Sequence, residues 1–246
     1  MSLGKTLLSL LFPTRCPFCR EILSRFLPED GTFPCWAKKE SIPEVLCRKC
    51  AADLPWLKKC CPRCARELEG IINCSCRGYE YAFDHCCAVV GYRGKAREAL
   101  HALKYRNKPW LSEPLGMLLS WKLASLSWIS SVDAVVPVPL SSRRRALRGY
   151  NQAALLAQVV AGELSIPVLE ILERARETES QTGMDREKRW ENLKGAFRCQ
   201  TEWKGRGCSH LLLVDDVLTT GATAHEAARA LKSAAAERVS VAVFAR

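Results

Sequence analysis

The 246-residue sequence has no apolar run long enough to cross a membrane. Its early apolar stretch, residues 7–12 (LLSLLF), falls far short of the ~20 residues that a spanning helix needs. It also lacks the longer apolar core and small-residue cleavage site of a secretory signal, so a short packed helix in a cytoplasmic protein is the expectation. A nucleotide-binding P-loop is missing: the Gly4-Lys5-Thr6 triplet has no strand or leading glycine before it, which removes a P-loop ATPase from consideration. Cysteine is scarce in the larger part of the chain. Of 14 cysteines, only Cys199 and Cys208 lie beyond Cys87, which sets a cysteine-built module apart from an ordinary hydrophobic domain. Acids are outnumbered, 26 against 37 basic residues, and the net charge of +11 suits phosphorylated ligands or nucleic acid without choosing between them. With 48% hydrophobic and 26% charged residues, the chain fits a globular protein of one ordinary domain plus a small one.

The most informative feature present is residues 211–231, LLLVDDVLTTGATAHEAARAL. Four apolar residues lead into Asp215 and Asp216, then a Thr/Gly-rich turn, then an Ala-rich helical pattern. This reads as a buried parallel strand, a tight loop and a helix N-terminus. Such a loop offers backbone N–H groups and the positive end of a helix dipole to a phosphate. Thr219, Thr220 and Thr223 add hydroxyl donors, and Gly221 lets the backbone approach closely. The two carboxylates accept hydrogen bonds only, which suits a pair of sugar hydroxyls. The run therefore reads as a sugar-phosphate site; the plainer alternative is a βα junction with solvated acids.

Cysteines carry the second signal. Cys16-Pro-Phe-Cys19, Cys47-Arg-Lys-Cys50 and Cys61-Pro-Arg-Cys64 are three CxxC knuckles, and Cys74-Ser-Cys76 is a tighter fourth pair. A CxxC turn presents two thiolates to one metal, and two turns complete a tetrahedron, so the first two knuckles suit one zinc ion and the last two a second. The Cys-x-Cys spacing departs from the usual pattern, leaving one or two structural zinc ions expected. Disulfides would need an oxidising compartment that nothing here supports, and redox-active CxxC motifs rarely come in sets. Cys35, Cys60, Cys86 and Cys87 fall outside the pattern and read as packing or spare thiols.

From Ala88 the texture changes. Residues 88–92, 133–139, 211–215 and 239–244 read as strands, and residues 96–103, 111–126 and 149–164 as helices. Alternation of this kind predicts an α/β domain with a mainly parallel sheet flanked by helices. Ligands of such sheets sit at the carboxyl ends of strands, where Pro139 and the Asp215–Asp216 pair both fall. After Pro139 come Leu140, Ser141 and the arginines Arg143, Arg144, Arg145 and Arg148, able to bind phosphate bidentately or to form a solvated surface run. Residues 178–192 are polar and basic, with Gln181, Thr182, Arg186, Lys188, Arg189 and Asn192, and read as a long functional loop.

The acid-ended strand and its turn resemble the 5-phosphoribosyl-1-pyrophosphate (PRPP) signature of type I phosphoribosyltransferases. Taken with the CPFC, CRKC and CPRC knuckles, the VPVPL strand, the Arg-Gly-Tyr-Asn-Gln stretch and the Gly-Ala-Phe segment, in this order, nearly the whole chain resembles the ComF family. That resemblance implies a double zinc ribbon over residues 1–81 and a domain of the type I phosphoribosyltransferase fold over residues 82–246. It implies PRPP, bound with Mg²⁺, along Val214, Asp215, Asp216, Val217, Leu218, Thr219, Thr220, Gly221, Ala222 and Thr223, with Asp215 and Asp216 as the catalytic acids on the ribose. Pyrophosphate would lie against Pro139, Leu140, Ser141, Arg143, Arg144 and Arg145, under a hood that carries Arg189. A nitrogen nucleophile would attack C1 of the ribose as pyrophosphate leaves, with catalysis by positioning and charge neutralisation. The family is associated with natural competence, the import of single-stranded DNA, so the DNA-uptake machinery is an implied partner. A single-stranded DNA-binding module and a PRPP-sensing regulator without turnover remain the alternative readings.

One segment bears on nucleic acid directly. Arg93, Lys95, Arg97, Lys104, Arg106 and Lys108 stand against the single acid Glu98, with Tyr92, Tyr105 and Trp110 interleaved. Cations alternating with aromatics fit a single-stranded ligand; an amphipathic helix with a solvated basic face fits equally.

Overall fold

A computed structural model of the chain describes residues 15–23, 45–68, 74–176, 186–201, 203 and 207–246. The helix expected near residues 7–12, Cys35 and the first part of the 178–192 segment lie outside them. Strands β1 (His85–Val90), β2 (Ala134–Pro137), β5 (His210–Val217) and β6 (Arg238–Ala245) form one sheet in the order β1-β6-β5-β2, every neighbouring pair parallel. A short antiparallel pair, β3 (Leu172–Arg174) and β4 (Phe197–Cys199), stands apart from it. Three-residue strands leave no periodic signal, which is why the sequence pattern does not reveal them.

Burial on both faces explains the continuous apolar runs. Leu211 to Val214 are 0% exposed, and successive residues enter opposite cores. Leu211 and Leu213 pack with Val136, Val241 and Val243, whereas Leu212 and Val214 pack with Val135, Ala242 and Phe244. The second core is covered by α2 (Gly94–Tyr105), α3 (Ser112–Ala124) and α5 (Gln152–Leu164), through Leu100, Leu103, Leu115, Leu119 and Leu156. The first is covered by α7 (Ala222–Ser233), through Ala227, Ala228 and Leu231, and by part of the cysteine module.

Two segments differ from the sequence pattern. The arginine run, which carries no helical pattern in the sequence reading, is helix α4 (Ser142–Arg148). The Ser141 hydroxyl accepts from the Arg144 N–H at 3.4 Å to start it, and Gly149, at φ +80°, ends it. The later part of the polar 178–192 segment is helix α6 (Arg186–Leu193). Tertiary anchoring accounts for it: Leu193 is fully buried, Trp190 lies 4.8 Å from His225, and the Gly195 N–H donates to buried Glu226 at 2.7 Å.

The cysteines gather as the knuckle spacing predicts. Cys16, Cys19, Cys47 and Cys50 form one set and Cys61, Cys64, Cys74 and Cys76 another, with the sulfurs of each set all within 4.8 Å of one another. The approaches of 3.4 Å for Cys19–Cys47, 3.4 Å for Cys64–Cys74 and 3.6 Å for Cys61–Cys76 are too long for disulfides, whose bond is about 2.05 Å. They fit four sulfurs about 2.3 Å from a central zinc, which sit roughly 3.8 Å apart at the corners of a tetrahedron. Helix α1 (Arg48–Asp53) starts at the second knuckle, where the Cys50 N–H donates to Cys47 Sγ at 3.4 Å. Lys95 donates to Cys50 Sγ at 3.3 Å, placing a cation beside the first sulfur set. Cys86 and Cys87, outside both sets, are buried in β1. Metal analysis of the purified protein is expected to find two zinc ions per chain, falling towards one in Cys64→Ser. Metal-free protein with disulfides among these eight residues would contradict the zinc assignment.

Candidate functional site

The turn after β5 is held from behind. Arg246 donates to the carbonyl of Leu218 at 3.1 Å and to that of Thr219, and the Tyr81 hydroxyl donates to that of Thr220 at 3.2 Å. No backbone hydrogen bond among the described residues uses the N–H groups of Thr219, Thr220 or Gly221. Gly221 adopts φ +88°, and a Cβ there would lie 2.7 Å from the Tyr81 ring, so both backbone conformation and space call for glycine. Helix α7 begins at the next residue, its N-terminus beside the free amides.

Just before the turn sits the acid pair. Asp216 is 3% exposed, and its Oδ2 lies 2.6 Å from the Lys104 ammonium of α2. Burial works against the charge on Lys104, but Asp216 and then Asp215 raise its pKa. Removing one member of a buried pair typically costs about 3–5 kcal/mol, because the other is left uncompensated. Asp215 accepts the Asp216 N–H at 2.8 Å. Burial, and then the charge of Asp216, push the Asp215 carboxyl up to about 8.

These groups open onto a cleft of about 1130 Å³. The acid pair and the turn line it at the carboxyl end of β5; Pro139 and Leu140 face in from the end of β2. Cations converge on it from four elements: Lys104 of α2, Arg144 and Arg148 of α4, Arg174 of β3 and Arg189 of α6. Arg189 reaches the Thr219 hydroxyl at 3.3 Å, tying α6 to the turn.

The structure brings together most of the sequence-predicted residues, with exceptions. Val214 and Ala222 are buried, at 0% and 1% exposure, and do not line the cleft. Ser141 is a buried helix cap, and Arg143 and Arg145 stand on the outer side of α4. Helical periodicity is the reason: of the arginines in α4, Arg144 and Arg148, four residues apart, share the cleft-facing side. Sequence reasoning missed Lys104 and Arg174 as residues of this cleft, and it named Arg148 in the arginine run without placing it at the pyrophosphate. The four-residue spacing of Arg144 and Arg148 was readable once a helix was assumed. Lys104 and Arg174 carry no local signal, because only tertiary packing brings α2 and β3 to the site.

The basic segment around α2 is less open than its sequence implies. Lys104 is committed to Asp216, Lys95 pairs with Asp53 at 2.6 Å, and Arg93 lies 3.9 Å from Glu67. Arg97 and Arg106 remain exposed. Tyr105, 65% exposed, stands at the cleft with the Arg148 guanidinium 5.4 Å over its ring, and Trp110 is capped by Arg20 at 4.2 Å.

Residues 151–246 match the family model of the phosphoribosyl transferase domain, and this stretch contains β5, the acid pair and the turn. The mainly parallel sheet and the site at its carboxyl edge define a protein of the phosphoribosyltransferase fold class, here carrying two Cys₄ clusters. The chain is 29% identical over 240 residues to Competence protein F of Haemophilus influenzae, covering 96% of this chain and 98% of that one. It is 30% identical over 202 residues to DNA utilization protein YhgH of Escherichia coli K12, covering 80% and 88% respectively. To Competence protein ComFC of Bacillus subtilis it is 26% identical over 198 residues, covering 76% and 78%. The chain belongs to the ComF family. No helix among the described residues is long and apolar enough to cross a membrane.

The turn makes a prediction of its own. Gly221→Ala is expected to destabilise the protein by about 1–3 kcal/mol through backbone strain and contact with Tyr81. Thermal denaturation checks this, and an unchanged melting temperature would show that the turn accommodates a side chain.

Proposed function

We propose that the cleft binds PRPP with Mg²⁺ and that the protein acts in the cytoplasm in the handling of imported DNA. The observation that carries the ligand assignment is the combination at the end of β5: three unbonded turn amides beside a helix N-terminus, next to a buried acid pair. The 5-phosphate would take the amides and the hydroxyls of Thr219, Thr220 and Thr223. The ribose hydroxyls would donate to Asp215 and Asp216, with Lys104 holding one oxygen of Asp216 in place. Pro139, Leu140, Arg144, Arg148 and Arg189 would surround the pyrophosphate. Bound with the ligand and facing the acid pair, Mg²⁺ would neutralise pyrophosphate charge. The guanidinium groups around the cleft then stabilise the leaving pyrophosphate more than the bound ground state, as transfer of the ribose to a nitrogen nucleophile requires. Residues 1–81 serve as a structural zinc module and residues 82–246 as the phosphoribosyltransferase-like domain. The DNA-uptake role draws support from relatives named Competence protein F and DNA utilization protein YhgH.

Calorimetry with PRPP and Mg²⁺ tests the reading. Asp215→Asn with Asp216→Asn should weaken binding by about 1.5–3 kcal/mol for each charged hydrogen bond lost. Equal affinity for wild type and the double variant would refute the assignment. A pH series adds a second check. Ionised Asp215 accepts hydroxyls and faces Mg²⁺ more strongly than the protonated acid, and its carboxyl is pushed up to about 8, so affinity should climb as pH rises towards that value and level off above it. The ligand-free fold should lose stability over the same rise, because the folded protein holds that proton more tightly than the unfolded chain does. Pyrophosphate release across nucleobases and small amines separates a transferase from a PRPP sensor: release with any acceptor, lost on changing Asp216, identifies the transferase.

The exposed Tyr105, Arg97 and Arg106 favour a second role, in which single-stranded DNA lies along the mouth of the cleft. Oligonucleotide affinity would then fall steeply with salt, through counterion release, and with Arg97→Glu plus Arg106→Glu. Salt-independent binding would count against this role.

A further inference from the structure

Three consecutive peptide groups of the turn are fixed from behind by Arg246, which also bonds the backbone of Cys64, and by Tyr81, which lies in the same core as the second Cys₄ set. The Arg246 side chain donates through Nε to the carbonyl of Cys64 at 2.8 Å and through Nη1 to the carbonyls of Leu218, at 3.1 Å, and Thr219. Tyr81 donates to the carbonyl of Thr220 at 3.2 Å. Its ring stacks on Phe83 at 4.6 Å and shares one core with Cys61, Cys64, Cys74 and Cys76. In a planar trans peptide, a carbonyl and the N–H that follows it point in opposite directions. Holding the carbonyls of Leu218, Thr219 and Thr220 towards Arg246 and Tyr81 therefore turns the N–H groups of Thr219, Thr220 and Gly221 the other way. Those are the three amides without a backbone partner. Arg246 thus bridges a cysteine knuckle and the turn with one planar group, whose fixed fork suits several carbonyls at once.

We propose that Arg246 and Tyr81 are positioning residues that make the second Cys₄ centre the back wall of the phosphate turn, so that zinc at Cys61, Cys64, Cys74 and Cys76 and a phosphate ligand in the turn stabilise each other. This rests on the phosphate reading of the turn given above. Coupling between two binding events is reciprocal: if the metal tightens ligand binding, the ligand tightens the metal by the same factor. Arg246 carries the coupling because its contacts reach both sides. Tyr81 supports it through a single hydroxyl and the ring beside Gly221.

The test uses the full-length zinc-loaded protein as wild type, Arg246→Met, Arg246→Lys and Tyr81→Phe, with zinc content measured for each. Three quantities are read: amide hydrogen exchange over residues 218–223, PRPP affinity by calorimetry, and zinc affinity by competition with a chelator, with and without PRPP. In Arg246→Met both zinc ions should stay bound, exchange over the turn should rise, and PRPP should bind about tenfold or more weakly, as expected for lost charge-assisted hydrogen bonds. PRPP should strengthen retention of one zinc ion in wild type and no longer do so in this variant, with partial recovery in Arg246→Lys. Unchanged exchange and unchanged PRPP affinity in Arg246→Met would overturn the proposal. Wild type that fails to bind PRPP would overturn the phosphate reading instead, while the exchange data still report whether Arg246 holds the turn. Should Arg246→Met lose zinc or unfold, Tyr81→Phe, which removes one hydroxyl, carries the same comparison at smaller amplitude, and no change in its exchange would count against the proposal.

Discussion

Strand β5 runs between β6 and β2, hydrogen bonded on both edges and buried on both faces over Leu211 to Val214. A strand in that position tolerates polar side chains chiefly towards its ends, as with His210 at its start. The acid pair therefore falls at its carboxyl end, on the edge where helix α7 starts. Everything else at the site is arranged around that edge. The turn must reverse the chain within a few residues, which brings in Gly221 at positive φ. The acids are partly buried by the strand that carries them, so their charge has to be met from elsewhere. Lys104, reaching over from α2, meets it at Asp216. At Asp215 burial and then the charge of Asp216 outweigh the pull of Lys104, and its carboxyl is pushed up to about 8.

The cleft is consequently a small acidic centre inside a basic wall. Lys104, Arg144, Arg148, Arg174 and Arg189 come from segments far apart in the chain. None of the elements that supply them could assemble such a concentration of charge alone, because like charges repel unless a scaffold holds them. Under the proposed reading, such an arrangement would suit a ligand with anionic ends and a hydroxylated middle. It also gives the exposed edge of the cleft, around Tyr105 and Arg148, a different character from its floor.

The cysteine module makes structural sense in the same terms. Its described segments are short, and α1 spans only Arg48–Asp53, so hydrophobic burial within the module is modest. Two Cys₄ sets able to hold a metal ion would supply the cross-linking that a small core cannot. The module is also stitched to the sheet: Trp56 bridges to Val90, the Cys86 N–H donates to the Pro62 carbonyl at 2.8 Å, and Arg246 reaches Cys64. One of its two sulfur sets thereby becomes part of the first core, against the face of the sheet that α7 covers.

Much of this was legible in the residues before any coordinates. Apolar runs at residues 211–214 and 241–244 mark strands buried on both faces; the knuckle spacing groups the eight cysteines into the two sets found; and the order Asp-Asp, Thr-Thr-Gly, Ala-rich helix locates the turn that lines the cleft. These are local properties, written within a dozen residues, and local sequence suffices to specify them. Tertiary structure decided what depends on distant segments meeting. It turned the arginine run into a helix that aims Arg144 and Arg148 inward and leaves Arg143 and Arg145 outside. It took Lys104 out of a basic surface stripe and set it against Asp216, and it brought Arg246 between a cysteine knuckle and the turn. A side chain's neighbours across the fold leave no trace in its own stretch of sequence, because packing, and not periodicity, chooses them.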